Sequence, residues 1–322
     1  MPGASVLVLR GDSVLYRYAY GLADVDARTA ATPATNYRLA SVSKQFTAMS
    51  VVLLAKEGKL SLNAPVPEVL EGLPAYARRV HVRHLLTHTS GLWDYEDFVP
   101  DTASVQVTDA DVIDLLRAHT ESTYFAPGSA WRYSNTGYCL LALIVEKVSG
   151  MRYADFLHQR IFAPLGMSNT IAYEHGVSEV PNRAYGHTVI GDSVTRTDQS
   201  STSATLGDGG IYSSVDDLAR WERALRLHTL VDSATWATIA TPAVLTDGKP
   251  TQYGFGWFID ELHGHRRMRH HGETRGFTNF VQRFPDDSLY VVVLTNRTGG
   301  APWDVGEQVA GIFLNDGESP RP

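Results

Sequence analysis

The sequence predicts an α/β protein of the α+β type, in which an antiparallel sheet of N- and C-terminal strands is flanked by helices and carries an inserted all-helical domain. Two observations indicate this arrangement. Strand-like patterns are confined to the two ends of the chain, at residues 5–20 and beyond residue 254, whereas helical patterns dominate the middle. The simplest packing joins the terminal strands in one sheet. Residues 1–62 and 206–322 then form the sheet domain, and residues 63–205 form the helical insertion.

The first elements follow from local patterns. Residues 5–9 and 14–20 alternate as strands, and the Gly11-Asp12 turn joins them as a hairpin. A mostly apolar helix begins at Ser41 or Ser43, either of which can cap it, and stops at Gly58. Three prolines make residues 62–76 extended or turning. Helical patterns then predict further helices at residues 82–87, 109–119, 138–148, 154–161 and 215–227, with Thr108 capping the second of them and Ser213 or Ser214 the last.

The last third returns to strand patterns. Residues 175–205 are polar and rich in turn formers, and they precede the 215–227 helix. Strands are expected at residues 254–259, 267–271, 278–284 and 289–294, with a Pro285-Asp286-Asp287 turn between the last two. A helix at residues 305–314 and a disordered tail complete the pattern.

Composition excludes several classes of protein. The 322 residues are 43% hydrophobic and 20% charged, as in an ordinary globular protein. A formal net charge of −7 without a basic stripe argues against nucleic acid as a partner. No apolar run is long enough to cross a membrane, and no signal peptide pattern opens the sequence. As written, the sequence therefore indicates a cytoplasmic protein, or a periplasmic or secreted one if the N-terminus is trimmed. The oligomeric state stays open.

The first candidate site is the pair Ser41 and Lys44. Their spacing places both on one helical face, one turn apart. A serine can act as a nucleophile when a neighbouring lysine removes its proton, and burial near a helix N-terminus is expected to push Lys44 towards its neutral form. The competing interpretation is a capping serine beside a lysine that reaches to the surface. Because so short a motif also occurs by chance, further catalytic residues elsewhere in the chain are needed to distinguish the two interpretations.

The second candidate site contains Tyr133 and Asn135, which follow the turn at Pro127-Gly128. In an extended backbone two residues of this spacing project to the same side. A tyrosine can relay a proton to and from a serine, and an asparagine can hold a substrate carbonyl or amide. The alternative is a loop tyrosine that packs on Trp131 beside a capping Asn135.

The third candidate site is the run His270, His271, Gly272 and Glu273 at the end of a predicted strand. A glycine lets the backbone approach a ligand closely. The N–H of Glu273 is therefore a candidate partner for the N–H of Ser41 in an oxyanion hole. The competing interpretation is a metal site, because four histidines crowd this region. Neither a His-Glu-x-x-His helix nor a clear acidic ligand accompanies them, so no metal is predicted.

Other reactive residues have structural interpretations. Cys139 is the single cysteine, which excludes an internal disulfide and a cysteine-based zinc site, and its apolar surroundings predict a core position. His84 and His88 share a helical face and are assigned to structure. No Gly-x-Ser-x-Gly elbow occurs, which argues against an α/β-hydrolase.

Taken together, these motifs resemble the serine β-lactamase and penicillin-binding-protein superfamily, specifically its class C-like branch of esterases, D-aminopeptidases, amidases and D-alanyl-D-alanine carboxypeptidases. The run from Ser41 to Lys44 resembles the branch's Ser-x-x-Lys motif, the run from Tyr133 to Asn135 its Tyr-x-Asn motif, and the run from His270 to Gly272 its His-x-Gly motif. The connecting segments at residues 83–92, 163–167 and 209–218 are similar too, so that the resemblance covers nearly the whole chain.

The resemblance implies a β-lactamase/transpeptidase-like fold and a serine hydrolase that cleaves ester or amide bonds through an acyl-enzyme. Ser41 is then the nucleophile, Lys44 and Tyr133 share proton transfer, and Asn135 and His270 position the substrate, while Gly272 and Glu273 belong to the oxyanion strand. No cofactor is implied. The expected partner is a small ester, amide or D-amino acid peptide.

One departure bears on the substrate. His270 stands where β-lactamases have a lysine that helps bind the β-lactam carboxylate, and a mostly neutral histidine is a weaker anion site. Weak or no β-lactamase activity is therefore expected, with an esterase as the main interpretation. The alternatives are a D-alanyl-D-alanine carboxypeptidase or D-aminopeptidase and, from another class, a non-catalytic peptide-binding or scaffold protein.

Overall fold

The structure is a computed structural model that describes residues 1–100 and 102–314. The predicted tail at residues 315–322 lies outside the described residues. The strands, in chain order, are β1 (Ala4–Arg10), β2 (Ser13–Tyr20), β3 (Leu22–Asp24), β4 (Thr29–Ala30), β5 (Tyr37–Arg38), β6 (Ile171–Ala172), β7 (His187–Ile190), β8 (Ser193–Arg196), β9 (Ile211–Ser213), β10 (Phe258–Leu262), β11 (His265–Thr274), β12 (Phe277–Phe284) and β13 (Leu289–Thr295). The helices are α1 (Lys44–Lys56), α2 (Val66–Val69), α3 (Val82–Leu86), α4 (Asp111–His119), α5 (Asn135–Ser149), α6 (Tyr153–Leu157), α7 (Val215–Arg226), α8 (Ser233–Ile239) and α9 (Pro302–Leu314).

The two ends of the chain meet in one antiparallel sheet, as predicted. Its strand order is β10-β11-β12-β13-β1-β2. Strand β1 lies between its hairpin partner β2 and the C-terminal strand β13, with Leu7 opposite Val292. Leu7 and Val8 point to opposite faces of β1, and both are buried. Such a strand needs cover on both of its faces, which a position inside the sheet provides.

Helices cover both faces of the sheet. On the outer face Val8, Phe284 and Val291 pack with Ala310 of α9. On the inner face Leu7 and Val292 join the large core that contains α1, α5 and α7. The fold class predicted from the sequence is therefore confirmed.

Helix α1 occupies the centre of the core. Its residues from Lys44 to Leu54 are all buried, as its apolar pattern on nearly every side predicts. The helix ends just before Gly58, which has a positive φ of 70° and donates its N–H to Ala55. Lys44 therefore begins a helix inside the protein rather than at its surface.

Several local predictions were wrong. Residues 62–76 were predicted to be extended or turning, but Val66–Val69 form the short helix α2, with Pro67 in its first turn, where a missing N–H costs nothing. The short strands β3 to β9 were not predicted, because two to four residues carry too little periodicity. Helix α8, of seven residues, was not predicted either. Strand β10 begins later than the predicted 254. Since β6, β7 and β8 fall inside residues 63–205, that segment is not purely helical, and its bounds as a domain remain a prediction.

In the described part of the chain, no helix combines the length and the apolarity that a membrane span needs.

Candidate active site

A strained turn presents Ser41. Residues Ala40–Ser43 form a 3-10 turn directly before α1, and Ala40 has a φ of +49°, a left-handed conformation that side chains other than glycine rarely adopt. The predicted capping role is wrong for both serines, since neither makes a side-chain cap bond. Ser43 instead accepts the N–H of Ile211 at 3.3 Å, while Ser41 stays partly exposed. The turn thus leaves the Ser41 hydroxyl at the surface of the core.

Lys44 is the centre of the hydrogen-bond network. Its side chain is 0% exposed, and Nζ donates to Ser41 Oγ at 3.0 Å, to Asn135 Oδ1 at 2.7 Å and to the backbone oxygen of Asp208 at 2.9 Å. Three acceptors match the three hydrogens of an ammonium group. The structure therefore brings the first two sequence motifs together on one amine.

The charge on Lys44 differs from the sequence-based expectation. Burial acts to lower the pKa of Lys44, but facing Tyr133 and nearby Asp208 outweigh it, so that the pKa lies above the ordinary 10.5. The direction of this shift is opposite to the sequence-based expectation that burial and the helix N-terminus favour the neutral lysine. The physical reason is that the opposing groups come from distant segments of the chain.

Tyr133 lies beside the lysine. Lys44 Nζ is 5.0 Å from the centre of the Tyr133 ring, and the hydroxyl is buried without a hydrogen-bond partner among residues 1–100 and 102–314. Burial raises the pKa of Tyr133, while Lys44 and Ser41 pull it back only in part. The phenol is thus protonated at neutral pH, and its neighbours are Lys44 and Ser41.

Asn135 is held from both sides. It is the first residue of α5, and its backbone N–H donates to Asp94 Oδ2 at 2.8 Å while its side-chain oxygen accepts from Lys44. Asp94 thereby satisfies a helix N-terminal N–H that would otherwise lack a partner. The side-chain amide of Asn135 also faces Glu96, and hydrogen bonding to it acts to lower the pKa of that carboxyl.

Gly272 fixes strand β11 against the serine turn. A Cβ atom at this position would lie 2.0 Å from the backbone oxygen of Leu39, so that only glycine allows the approach. The next residue, Glu273, is therefore adjacent to the turn that carries Ser41, and its side chain is exposed. This placement supports the predicted oxyanion pair of Ser41 and Glu273 N–H groups, which stays a prediction.

His270 is enclosed by protein. It is 0% exposed, its Nδ1 lies 2.6 Å from the oxygen of His271, and its Nε2 lies 3.0 Å from the hydroxyl of Tyr253. Because a carbonyl only accepts, Nδ1 carries the hydrogen and Nε2 accepts from Tyr253. Burial, together with His271 and Lys44, holds the pKa of His270 well below 6.5. Both nitrogens are engaged inside the protein, and the substrate-positioning role of His270 stays a prediction.

Several residues of the site were missed in the sequence or assigned to structure alone. Asp208 supplies a backbone acceptor to Lys44 and a carboxylate to the Tyr95 hydroxyl, at 3.0 Å. His88 packs against Tyr133 in a tilted arrangement, with ring centres 4.2 Å apart, and accepts the N–H of Ser134. The glycines that flank Asp208 are a signal of close backbone approach that would have indicated this segment.

The candidate metal ligands have other partners. Asp109, Cys139 and Asp208 place ligand atoms within 4.8 Å of one another in the core. Asp109 accepts hydrogen bonds from the backbone N–H groups of Leu206 and Gly207 at 2.8 and 3.1 Å. These bonds hold the loop that contains Leu206 and Gly207, and they account for the burial of the carboxylate. Of the crowded histidines, His265 pairs with Asp287 at 2.9 Å. Cys139 is buried as predicted.

Comparisons with known proteins place the chain in a family. The family model described as Beta-lactamase matches residues 1–310. Penicillin-binding protein 4* of Bacillus subtilis (strain 168) is 34% identical over 307 residues, which are 91% of this chain and 68% of that protein. The D-aminopeptidase of Brucella canis is 31% identical over 318 residues, 93% of this chain and 57% of that protein.

A solved structure agrees with the sequence matches. The D-amino acid amidase from Ochrobactrum anthropi SV3 superposes with a TM-score of 0.80 and 26% identity, over 97% of this chain and 95% of that one. The protein belongs to the Beta-lactamase family of serine hydrolases, the family that the three motifs indicated.

Proposed function

We propose that the protein hydrolyses ester or amide bonds through an acyl-enzyme formed on Ser41. The observation that carries this proposal is the 3.0 Å contact between Lys44 Nζ and Ser41 Oγ, with the unpartnered Tyr133 hydroxyl beside it. A serine becomes a nucleophile when a neighbouring group takes its proton, and both candidates, Lys44 and Tyr133, are close neighbours of Ser41.

The proton path follows from the two raised pKa values. Lys44 is charged and Tyr133 neutral at rest, so the pair must first lose one proton to act as a base. The deprotonated pair then accepts the Ser41 proton as Oγ bonds to the substrate carbonyl carbon. The N–H groups of Ser41 and Glu273 stabilise the oxyanion, and Tyr133 gives the proton to the leaving oxygen or nitrogen. Water, activated by the same pair, finally cleaves the acyl-enzyme.

A D-amino acid amide or peptide is the substrate class that we favour over a simple ester. The relatives include proteins named D-aminopeptidase and D-amino acid amidase. In this chain Glu96 is exposed beside Asn135, and crowding by protein atoms together with Asp208 and Asp94 raises its pKa to about 7. Its carboxylate is suited to bind the α-ammonium group of such a substrate.

Labelling of the nucleophile tests the core of the proposal. Wild-type protein should turn over p-nitrophenyl acetate and bind a fluorophosphonate probe covalently, whereas Ser41→Ala should do neither. Ser50→Ala is the matched control, because this buried serine of α1 bonds only to its own helix at Phe46. Labelling that persists in Ser41→Ala would refute the assignment.

A substrate panel separates the classes. D- and L-residue p-nitroanilides, free D-dipeptides and short esters should be compared by kcat/KM, with intact-mass detection of the acyl adduct. Higher kcat/KM for D-residue anilides than for esters supports the aminopeptidase assignment, and the reverse supports the esterase. No adduct with any of them would favour the non-catalytic binding protein.

A further inference from the structure

A cavity lies outside the proposed active site. It has a volume of about 590 Å³, within the range of small-molecule sites, and it is bounded by α3, the turn at Gly128, helix α8 and the segment after α8. In that segment the backbone N–H of Thr246 donates to the oxygen of Gly128 at 2.9 Å, which joins two of the walls. None of the described residues that line the cavity belongs to the motifs around Ser41, Tyr133 and His270. The cavity is therefore a separate candidate site.

Helix α3 contributes a nitrogen donor to this cavity. His84 Nδ1 accepts the backbone N–H of His81 at 3.1 Å, so that the neutral ring carries its hydrogen on Nε2. Burial, together with His81 and Arg83, lowers the pKa of His84 to about 4, which keeps the ring neutral at pH 7. A Cβ atom built on Gly128 would lie 3.5 Å from Nε2, and both residues line the cavity. Nε2 makes no hydrogen bond to the described part of the chain.

The preceding residue, Arg83, adds a positive charge. Its side chain is exposed and lines the cavity, and its guanidinium makes no hydrogen bond and no ion pair with residues 1–100 or 102–314. No aspartate or glutamate occurs among the described lining residues, although the chain as a whole has a formal net charge of −7. A guanidinium and a ring N–H without a neighbouring carboxylate suit an anion, and the fork of guanidinium donors matches a carboxylate.

The cavity continues along α8 into a more apolar part. A neighbouring cavity of about 350 Å³ shares three lining residues with it, Leu62, Thr238 and Phe255. Val52 and Ala55 of α1 line this second part alone. Its one charged lining residue among those described, Lys56, is paired with Asp232 at 3.3 Å. The two cavities together, named here the α8 groove, thus combine anion-binding donors at α3 with an apolar wall at α1.

We propose that the α8 groove is a second small-molecule site that binds a free aliphatic carboxylate. The carboxylate contacts Arg83 and His84, and the alkyl chain lies along Leu62 and Phe255 towards Ala55. No bond is made or broken in this site. The proposal goes beyond ester or amide hydrolysis, because the residues assigned to that reaction lie outside the groove.

Calorimetry with sodium octanoate tests the charge requirement. Wild-type protein should bind octanoate about ten- to a hundredfold more tightly than octylammonium, the range of a charge-assisted hydrogen bond. Arg83→Gln should remove most of that preference, and Arg83→Lys should restore part of it. Arg78→Gln is the matched control, because this exposed arginine in the turn Ala75–Arg79 lies outside the described lining of the groove.

A series of chain lengths tests the apolar part. From butyrate to octanoate the affinity should rise about two- to fourfold for each methylene group that is buried. Ala55→Phe fills the part next to α1, so that octanoate should bind about tenfold or more weakly while butyrate stays within about twofold. Ser41→Ala should bind octanoate as the wild-type protein does, because Ser41 does not line the groove.

Four outcomes overturn the proposal: no binding of octanoate, equal affinity for octanoate and octylammonium, unchanged octanoate affinity in Arg83→Gln, or affinity that does not depend on chain length. Arg83 is exposed, so its variants test the site even if Ala55→Phe fails to fold. Failure of the proposed function is read separately, from fluorophosphonate labelling of Ser41. Arg83→Gln should leave kcat/KM for p-nitrophenyl acetate within about twofold, since the groove contains no residue assigned to hydrolysis.

Discussion

The hydroxyl of Tyr95 donates to the carboxylate of Asp208 at 3.0 Å, and the backbone oxygen of the same aspartate accepts from Lys44 at 2.9 Å. Tyr95 is 0% and Asp208 5% exposed. The segment that contains Asp94 and Tyr95 therefore supports two hydrogen-bond partners of Lys44. Tyr95 contacts Asp208, and Asp94 accepts the backbone N–H of Asn135. This loop positions the proposed base without itself meeting the nucleophile.

Replacing Tyr95 by phenylalanine should disturb that support. The Asp208 Oδ1 atom already lacks a hydrogen-bond partner among the described residues. Loss of the phenol therefore leaves this buried carboxylate without a hydrogen bond from that part of the chain. We expect the free energy of unfolding to fall by about 1–3 kcal/mol and kcat/KM for esters to fall severalfold. Denaturant titration and steady-state kinetics measure the two effects. Tyr290→Phe is the control, because that buried hydroxyl also lacks a partner and its loss should cost little. Unchanged stability and kinetics in Tyr95→Phe would contradict the positioning role.

Tyr133→Phe should separate catalysis from stability. The Tyr133 hydroxyl is buried and makes no hydrogen bond to the described part of the protein, so its removal should leave thermal unfolding unchanged or slightly raise Tm. Loss of a general acid–base group should lower kcat by about 10²- to 10⁴-fold. Differential scanning calorimetry and p-nitrophenyl ester turnover provide the readouts. Activity near the wild-type level would exclude Tyr133 from proton transfer.

The rate should rise with pH well into the alkaline range. A raised pKa means that Lys44 and Tyr133 keep their protons to higher pH. As long as the pH is below both pKa values, the fraction of protein with a deprotonated pair increases about tenfold for each unit of rising pH. We expect log kcat/KM for a neutral ester to climb with a slope near one from pH 6 to pH 9. His88 and His270, whose pKa values lie well below 6.5, should add no step in this interval. A plateau reached by pH 7 would show that the pair is already deprotonated.

Glu96 should add a second pH dependence that only cationic substrates report. Its pKa is raised to about 7, so the carboxylate gains its negative charge as the pH passes upward through that value. KM for D-phenylalaninamide should therefore fall between pH 6 and pH 7.5, where the substrate still carries its ammonium group. Glu96→Gln should flatten this dependence and leave KM for p-nitrophenyl acetate unaltered. An identical KM profile in the variant would remove Glu96 from substrate binding.

Gly272→Ala should damage the oxyanion strand. The added methyl group would meet the Leu39 oxygen at 2.0 Å, so β11 must move away from the serine turn. We expect a loss of about a hundredfold or more in kcat, as for removal of an oxyanion donor. Gly311→Ala in α9 is the control, because its nearest neighbour would lie at 3.6 Å and alanine favours a helix. Equal activity in the two variants would show that Gly272 does not support the proposed oxyanion hole.

Much of the fold was predictable from local patterns. The terminal strands are long and rich in residues that favour strands, and β12 and β13, with eight and seven residues, meet at the predicted turn. Helix α7 begins at Ser214, whose hydroxyl accepts the N–H of Asp217 as the capping pattern indicates. Elements of two to four residues were missed because tertiary pairing, and not periodicity, holds them in place.

By itself the sequence determined which residues could carry the chemistry: a serine and a lysine one helical turn apart, a tyrosine two residues before an asparagine, and a glycine at the end of a strand. Only the tertiary structure decided their protonation and access. Lys44 keeps its proton because Tyr133 and Asp208 face it, and His270 is enclosed because Tyr253 and the backbone of His271 engage both nitrogens. The reason is physical: periodicity along a chain reports burial, whereas a pKa and an open cavity depend on neighbours brought from distant segments.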